Sequence, residues 1–169
     1  DRLEPPHGDG ASASAQGSDR SPRGGSIGVA AFARRASAGG EGGDTDRAAA
    51  RASVAALGRC GGPVAMRRLK AILTDANGDM ELRAEAARRL AKHGGPDGAK
   101  AVISLLDARP EPALARRLAS ALRHAPTPTP AIDEALCAEL QEPGPVARAS
   151  ADALRELHPD RANPCADLE

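Results

Sequence analysis

Three prolines, Pro63, Pro96 and Pro130, divide the middle of the chain at intervals of 33 and 34 residues. Proline fits the first turn of an α-helix, where its missing N–H leaves no hydrogen bond unmade. Apolar residues recur six and ten positions after each proline, in keeping with a helical period: Leu69, Val102 and Leu136, then Leu73, Leu106 and Leu140. This repeat predicts a stack of helix pairs, because one pair alone has too little core to be stable.

Glycine and proline mark the ends of the predicted helices. Gly61-Gly62 and Gly94-Gly95 precede two of the prolines, and glycine at the end of one helix with proline at the start of the next is a common arrangement. We therefore predict seven helices, at about residues 44–59, 63–74, 80–93, 97–107, 112–124, 130–141 and 145–158. No segment alternates apolar and polar residues with a period of two, so we expect no sheet.

The second helix of each pair also follows a repeating pattern. It opens on an apolar residue (Leu82, Leu114, Val146), a leucine follows eight positions later (Leu90, Leu122, Leu154), and an arginine lies within two positions of the opening residue (Arg83, Arg116, Arg148). The first predicted helix runs through Ala50, Val54 and Leu57, and it also fits this second position, with Ala49 eight residues before Leu57. The helix that would precede it in its pair is therefore missing from the seven predicted helices.

The repeating residues resemble the HEAT-like repeat family, in the short bacterial form also called phycobilisome-lyase-type HEAT-like repeats. The resemblance covers residues 44–158 and rests on the prolines, the apolar pairs after them, the arginines, and the turn acids Asp75 and Asp107. The third repeat departs from the pattern, since Glu142 replaces the aspartate and the preceding loop is two residues longer. The resemblance implies an all-α fold, a short right-handed α-solenoid of antiparallel helix pairs with the second helices on its concave face.

The same resemblance implies a ladder of charges in which turn acids pair with second-helix arginines. Its members here would be Asp75, Arg83, Asp107 and Arg116, with Arg148 as a candidate for extension. The alternative is a set of independent solvated charges, worth at most about 1 kcal/mol per exposed pair.

The two ends of the chain differ from the repeats. Residues 1–43 are predicted to be a mostly disordered linker rich in Gly, Ser and Pro, because their few apolar side chains cannot offset the entropy of ordering. A short helix at 26–37, around Phe32, would cap the unpaired first helix, and a linker throughout is the alternative. Residues 159–169 form a tail. The chain begins at Asp1, so we expect a processed or truncated product, and both a cytoplasmic and a periplasmic location remain open.

The cysteines form no CxxC motif, so neither a zinc site nor a thioredoxin-like site is indicated. Cys137 lies in an apolar helical pattern, which favours a small core residue. A bridge between Cys60 and Cys165 remains an open alternative.

The histidines do not predict a metal site either. His93, His124 and His158 each end a second-position helix. Neighbouring helices lie about 8–10 Å apart, whereas zinc needs ligand nitrogens at about 2.0–2.1 Å. A favourable interaction with the helix dipole is the better interpretation. No serine has a positioned base and no phosphate-loop motif occurs, so we predict no enzyme, no cofactor and no metal.

Charge suggests where a partner binds. Residues 44–93 hold ten basic and six acidic side chains, a net of +4, whereas residues 94–169 hold eight and twelve, a net of −4. No run of about 18 apolar residues exists, so we expect no membrane span. Arginine outnumbers lysine twenty to three, which with abundant Ala and Gly suggests a GC-rich bacterial genome.

We predict a non-catalytic scaffold or adaptor that binds another protein, through an acidic peptide or segment, on the basic side chains of the second helices. Nucleic-acid or phosphate-ligand binding by the same residues, and self-association through the ends of the stack, are the alternatives. An ordinary solvated face is the third. The absence of Trp and Tyr argues against nucleic acid, since aromatic stacking is a main source of single-strand affinity. The predicted binding residues are Arg83, Arg88, Arg89, Lys92, Arg116, Arg117, Arg123, Arg148 and Arg155.

Overall fold

The computed structural model describes residues 43–166, where all regular structure is helical. The predicted capping helix at 26–37 and almost all of the predicted linker lie outside the described residues. No strand occurs in residues 43–166, as predicted. The helices are α1 (Gly43–Cys60), α2 (Gly62–Thr74), α3 (Met80–His93), α4 (Gly95–Asp107), α5 (Pro112–Leu122), α6 (Pro130–Ala138) and α7 (Pro145–Leu157), with a 3₁₀ turn at Glu139–Gln141 after α6.

Glycine and proline set the helix junctions as predicted. Gly61, Gly62 and Gly95 have φ angles of 61°, 76° and 58°, in the left-handed region that glycine enters without a Cβ clash. Proline lies in the first turn of α2, α4, α5, α6 and α7. At the α1–α2 and α3–α4 junctions, a single residue separates the end of one helix from the start of the next.

Side chains cap the two helices that start after longer turns. At α3, Asp79 Oδ1 accepts hydrogen bonds from the backbone N–H groups of Glu81, at 2.8 Å, and Leu82, at 3.1 Å. At α6, Thr129 Oγ1 accepts one from the N–H of Ile132 at 3.4 Å. Each cap satisfies backbone donors that a helix start leaves without partners.

The packing follows a regular order along the chain. Two series of helices can be distinguished. In the first, α1 contacts α3, α3 contacts α5 and α5 contacts α7; we call these the odd helices. In the second, α2 contacts α4 and α4 contacts α6; we call these the even helices. The hairpin pairs α2–α3, α4–α5 and α6–α7 join the two series. Each helix therefore packs against the helix two positions along, and one continuous apolar cluster runs from Ala50 to Leu154.

A glycine permits the closest approach between two of the helices. Gly98, in the first turn of α4, is buried. A Cβ built at this position would overlap the backbone carbonyl oxygen of Leu90 in α3. The α3–α4 junction therefore requires a residue without a side chain here.

The repeat positions of the three helix pairs are buried with two exceptions, Val146, which is partly buried, and Leu140. Leu69, Val102 and Leu136 are all fully buried, and so are the leucines predicted for the second helices. Leu140 was expected to match Leu73 and Leu106, but 36% of its surface is exposed. The reason is that α6 ends at Ala138, and the 3₁₀ turn that follows has three residues per turn, which rotates position 140 off the buried face.

The helical period correctly named Ala50 and Val54 for α1, but the match of this helix to the repeat through Ala49 is wrong by one residue. Ala49 is exposed, whereas Ala50 and Val54 are buried. Gly58, four residues further on, is buried, and a Cβ there would lie 2.6 Å from Cδ of Arg89. The stripe that α1 presents to α3 therefore runs one position later than the spacing from Pro63 suggested.

The cysteine pairing differs from both alternatives left open by the sequence. Cys137 of α6 is bonded to Cys165 of the tail, with a Cα–Cα distance of 5.8 Å, and Cys60 is free and exposed. Cys137 is thus not a plain core thiol, and a Cys60–Cys165 bridge is excluded. The bond fixes the tail against the last even helix, at the end where no further repeat packs.

Candidate functional site

The predicted binding residues lie on the odd helices or directly after α5, but ion pairs divide them into two groups. Five have a carboxylate within 4.0 Å: Arg88, Arg89, Arg117, Arg123 and Arg155. Within residues 43–166, the structure shows no such pair for Arg83, Lys92, Arg116 or Arg148. In the second group, no acidic side chain of the described residues within 4.0 Å compensates the positive charge.

On α3, two arginines share one glutamate. Arg89 Nε donates to Glu85 Oε1 at 2.7 Å, and Arg88 Nε donates to Glu85 Oε2 at 3.0 Å. Burial disfavours the charged form of Glu85, but the hydrogen bonds from Arg88 and Arg89 outweigh it and hold the pKa of Glu85 below its usual value. Glu85 therefore stays ionised, and its one negative charge compensates one of the two guanidinium charges.

Two further arginines tie helices together. Arg117 of α5 donates from Nη1 to Glu81 Oε2 of α3 at 2.8 Å. Arg123, just after α5, lies 3.7 Å from Glu156 of α7. Both pairs join neighbouring odd helices, so these guanidinium groups are partly committed to the fold.

The predicted charge ladder is not formed by ion pairs in the described residues. Arg83 Nε donates instead to the backbone carbonyl oxygen of Leu73, at 3.0 Å, near the end of α2. Asp75 and Asp107 are exposed and lie more than 4.0 Å from the basic nitrogens of Arg83 and Arg116. Arg83 also occupies a different helical position from Arg116 and Arg148, since it directly follows the opening leucine. It therefore closes the α2–α3 turn, whereas the other two project from the surface.

Two of the arginines without a carboxylate partner line one surface cavity of about 530 Å³ between α5 and α7. We call it the arginine groove. Arg116 of α5 and Arg148 of α7 are exposed and have no carboxylate within 4.0 Å in the described residues, so each helix contributes one unpaired cation. The residues that line it are Arg116, Arg117, Ser120, Arg123, Pro145, Arg148, Ala149 and Asp152.

The arginine groove is electropositive. Its one acid, Asp152, lies 2.8 Å from Arg155, and Arg117 and Arg123 have the partners described above. Two guanidinium charges, those of Arg116 and Arg148, remain uncompensated. Such a pair can bind anions through paired N–H donors, because each guanidinium presents a planar fork to carboxylate or phosphate oxygens.

Sequence reasoning missed part of this site. It listed the arginines but did not include Ser120 and Asp152 in the groove, and it did not separate paired from unpaired cations. The helical spacing of Arg116, Ser120 and Arg123, and of Pro145, Ala149 and Asp152, would have placed each set on one side of its helix.

The three predicted helix-terminal histidines have different environments. His158 Nε2 lies 2.8 Å from Asp133 Oδ1, both side chains are nearly buried, and the pair joins the end of α7 to the start of α6. Burial and the neighbouring Lys92 and Arg89 lower the pKa of His93, and burial and Arg123 lower that of His124. Within residues 43–166, no three metal-binding side chains are grouped closely enough to hold an ion.

Comparison of the chain with protein-family models, with curated proteins and with solved structures gives no match. Among residues 43–166, no helix combines the length and the apolar character that crossing a membrane requires.

Proposed function

We propose that the helices form a short right-handed α-solenoid of the HEAT-like type. Three observations support this architecture. Helix pairs begin at Pro63, Pro96 and Pro130, each helix packs on the helix two positions along, and equivalent positions in successive pairs are buried. In such an arrangement the odd helices form one continuous surface, which suits the binding of an extended partner.

We further propose that the protein is a non-catalytic scaffold or adaptor, and that its arginine groove binds an acidic segment of another protein. The observation that carries the proposal is the pair of uncompensated cations, Arg116 and Arg148, on opposite sides of one cavity. Elsewhere on the odd helices, Arg51, Arg59 and Arg83 also lack a carboxylate within 4.0 Å in the described part of the chain. None of them lines this cavity, and neither does the exposed Lys92. An acidic segment laid along the groove would supply the missing negative charges.

Nucleic acid is the less favoured ligand of the same groove. Its phosphates would suit the two arginines, but the sequence has no Trp or Tyr, and its single Phe is residue 32. Residues 43–166 therefore offer no aromatic side chain on which a base could stack.

The proposal is tested with a fluorescent glutamate-rich peptide and a Gly/Ser peptide of the same length. The Arg116→Glu/Arg148→Glu variant should lower affinity for the acidic peptide by more than about tenfold, since each lost charge-assisted contact is worth roughly 1 kcal/mol or more. Arg67→Glu/Lys100→Glu is the matched control. Arg67 and Lys100 are exposed on even helices and have no carboxylate within 4.0 Å in the described part of the chain.

The control makes the same change in net charge, so it isolates the groove from long-range attraction. Equal weakening by the two double variants would refute the groove as the binding site. Sedimentation of the unlabelled chain over a range of concentrations, with and without peptide, shows whether self-association competes.

A further inference from the structure

The arginine groove differs from a general basic face in how its charge is distributed. Around it, Arg117, Arg123 and Arg155 have carboxylate partners in Glu81, Glu156 and Asp152. Two positive charges are left over, and both line a single cavity of about 530 Å³. A row of separate carboxylates would need cations spread along the surface. Arg116 and Arg148 instead line the same cavity.

We infer that the arginine groove recognises a phosphorylated side chain of a partner protein. The inference rests on the proposed function and specifies the acidic feature that the groove selects. A phosphomonoester carries a charge of about −1.5 to −2 near neutral pH and three strong acceptor oxygens, so one such group matches both free guanidinium ions. A single carboxylate carries one negative charge and would leave the other arginine uncompensated.

The lining of the groove adds suitable hydrogen-bond donors. Ser120 lies one helical turn after Arg116 on α5, and its hydroxyl can donate to a third phosphate oxygen. Arg123 is a further donor, because its pair with Glu156 is long, at 3.7 Å, and both side chains are substantially exposed. An exposed pair of this kind is worth at most about 1 kcal/mol, so a dianion can compete for Arg123.

Comparison with the preceding pair of odd helices shows why the site is confined to α5 and α7. Between α3 and α5, Glu81 pairs with Arg117, and Glu85 pairs with both Arg88 and Arg89. Equivalent positions on successive odd helices lie 32 residues apart here, so Glu85 of α3 corresponds to Arg117 of α5 and to Ala149 of α7. No acid from α7 therefore occupies this position, and the groove stays open and positive.

The test uses the full chain and three forms of one short peptide, in which a single position is phosphoserine, serine or glutamate. Affinity is measured by fluorescence anisotropy and by calorimetry. The phosphoserine form should bind at least about tenfold more tightly than either other form. Inorganic phosphate should compete with it.

Variants show whether the arginines are responsible. Arg116→Gln and Arg148→Gln should each abolish most of the preference for phosphoserine, and both side chains are exposed, so the fold should be retained. Arg67→Gln and Lys100→Gln should leave it unchanged. Circular dichroism and the melting temperature of every variant check folding.

Three other outcomes would overturn the inference, and they are distinguishable. Equal binding of the glutamate and phosphoserine peptides would leave the proposed function standing without phosphate selectivity. No binding of these or of the glutamate-rich peptide would refute both. Displacement of the phosphopeptide by a random oligonucleotide, at an equal concentration of phosphate groups, would identify the groove as a nucleic-acid site.

Discussion

Removing the Cys137–Cys165 disulfide should weaken the fold by an amount that can be worked out from its position. The two cysteines are 28 residues apart in the chain, and in the chain-entropy model a closed loop of that length stabilises the folded state by about 3.6 kcal/mol at 25 °C. For a domain of this size, the loss corresponds to a fall in melting temperature on the order of 10 °C.

The assay compares Cys60→Ser with Cys60→Ser/Cys165→Ser, because removing the exposed Cys60 prevents disulfide exchange. Guanidinium unfolding is followed by circular dichroism, with and without a reducing agent. The reductant should bring the first variant to the stability of the second, and it should not affect the second. Thiol titration of the native, unreduced parent should detect the thiol of Cys60 alone.

A difference in unfolding free energy below about 1 kcal/mol between the two variants would refute the reasoning, since the tail would then impose no constraint on the unfolded chain. A full effect in denaturant, accompanied by three reactive thiols in the native parent, would also refute it, because the stabilisation would then come from packing alone.

Three further predictions follow from single positions. Gly98→Ala should destabilise the protein by about 1–3 kcal/mol in the guanidinium assay, because its Cβ overlaps the carbonyl of Leu90. Its control is Gly144→Ser, at an extended helix start with open space around it, which should be neutral or slightly stabilising. Ser150→Ala should raise stability by about 1 kcal/mol, since the buried Ser150 hydroxyl has no hydrogen-bond partner; a loss of stability would show that a partner exists. Burial and Arg123 hold the pKa of His124 below its ordinary value of 6.5, so its contribution to stability is present above that pH and is lost as pH falls through the folded pKa. An NMR titration of the His124 ring should give the lowered value, and His124→Gln should flatten the acid limb of the stability curve.

Much of the fold was predictable because its determinants are local. Pro63, Pro96 and Pro130 mark helix starts through the chemistry of their own backbone, and glycines with positive φ mark the junctions. Burial at Leu69, Val102 and Leu136 follows from the helical period, which does not depend on distant parts of the chain.

The errors arose where long-range contacts or helix ends decide the outcome. The pairing of Cys137 with Cys165 depends on the path of the tail, which shows no periodicity. Leu140 is exposed because α6 ends early in a 3₁₀ turn. The partners of the arginines also could not be read from spacing, since Arg117 and Glu81 are 36 residues apart. The arginine groove can be recognised only after the arginines that have carboxylate partners are separated from those that have none.

The central claim, that the arginine groove is the binding surface, is tested most directly by the side-chain Nε–Hε NMR signals of the arginines. Titration with the glutamate-rich peptide should shift the Arg116 and Arg148 signals first and furthest, and should leave those of Arg67 and Arg83 in place, because only the former two are uncompensated cations in the groove. Saturable shifts centred on Arg67, or uniform small shifts at all exposed arginines that vanish with added salt, would contradict the account.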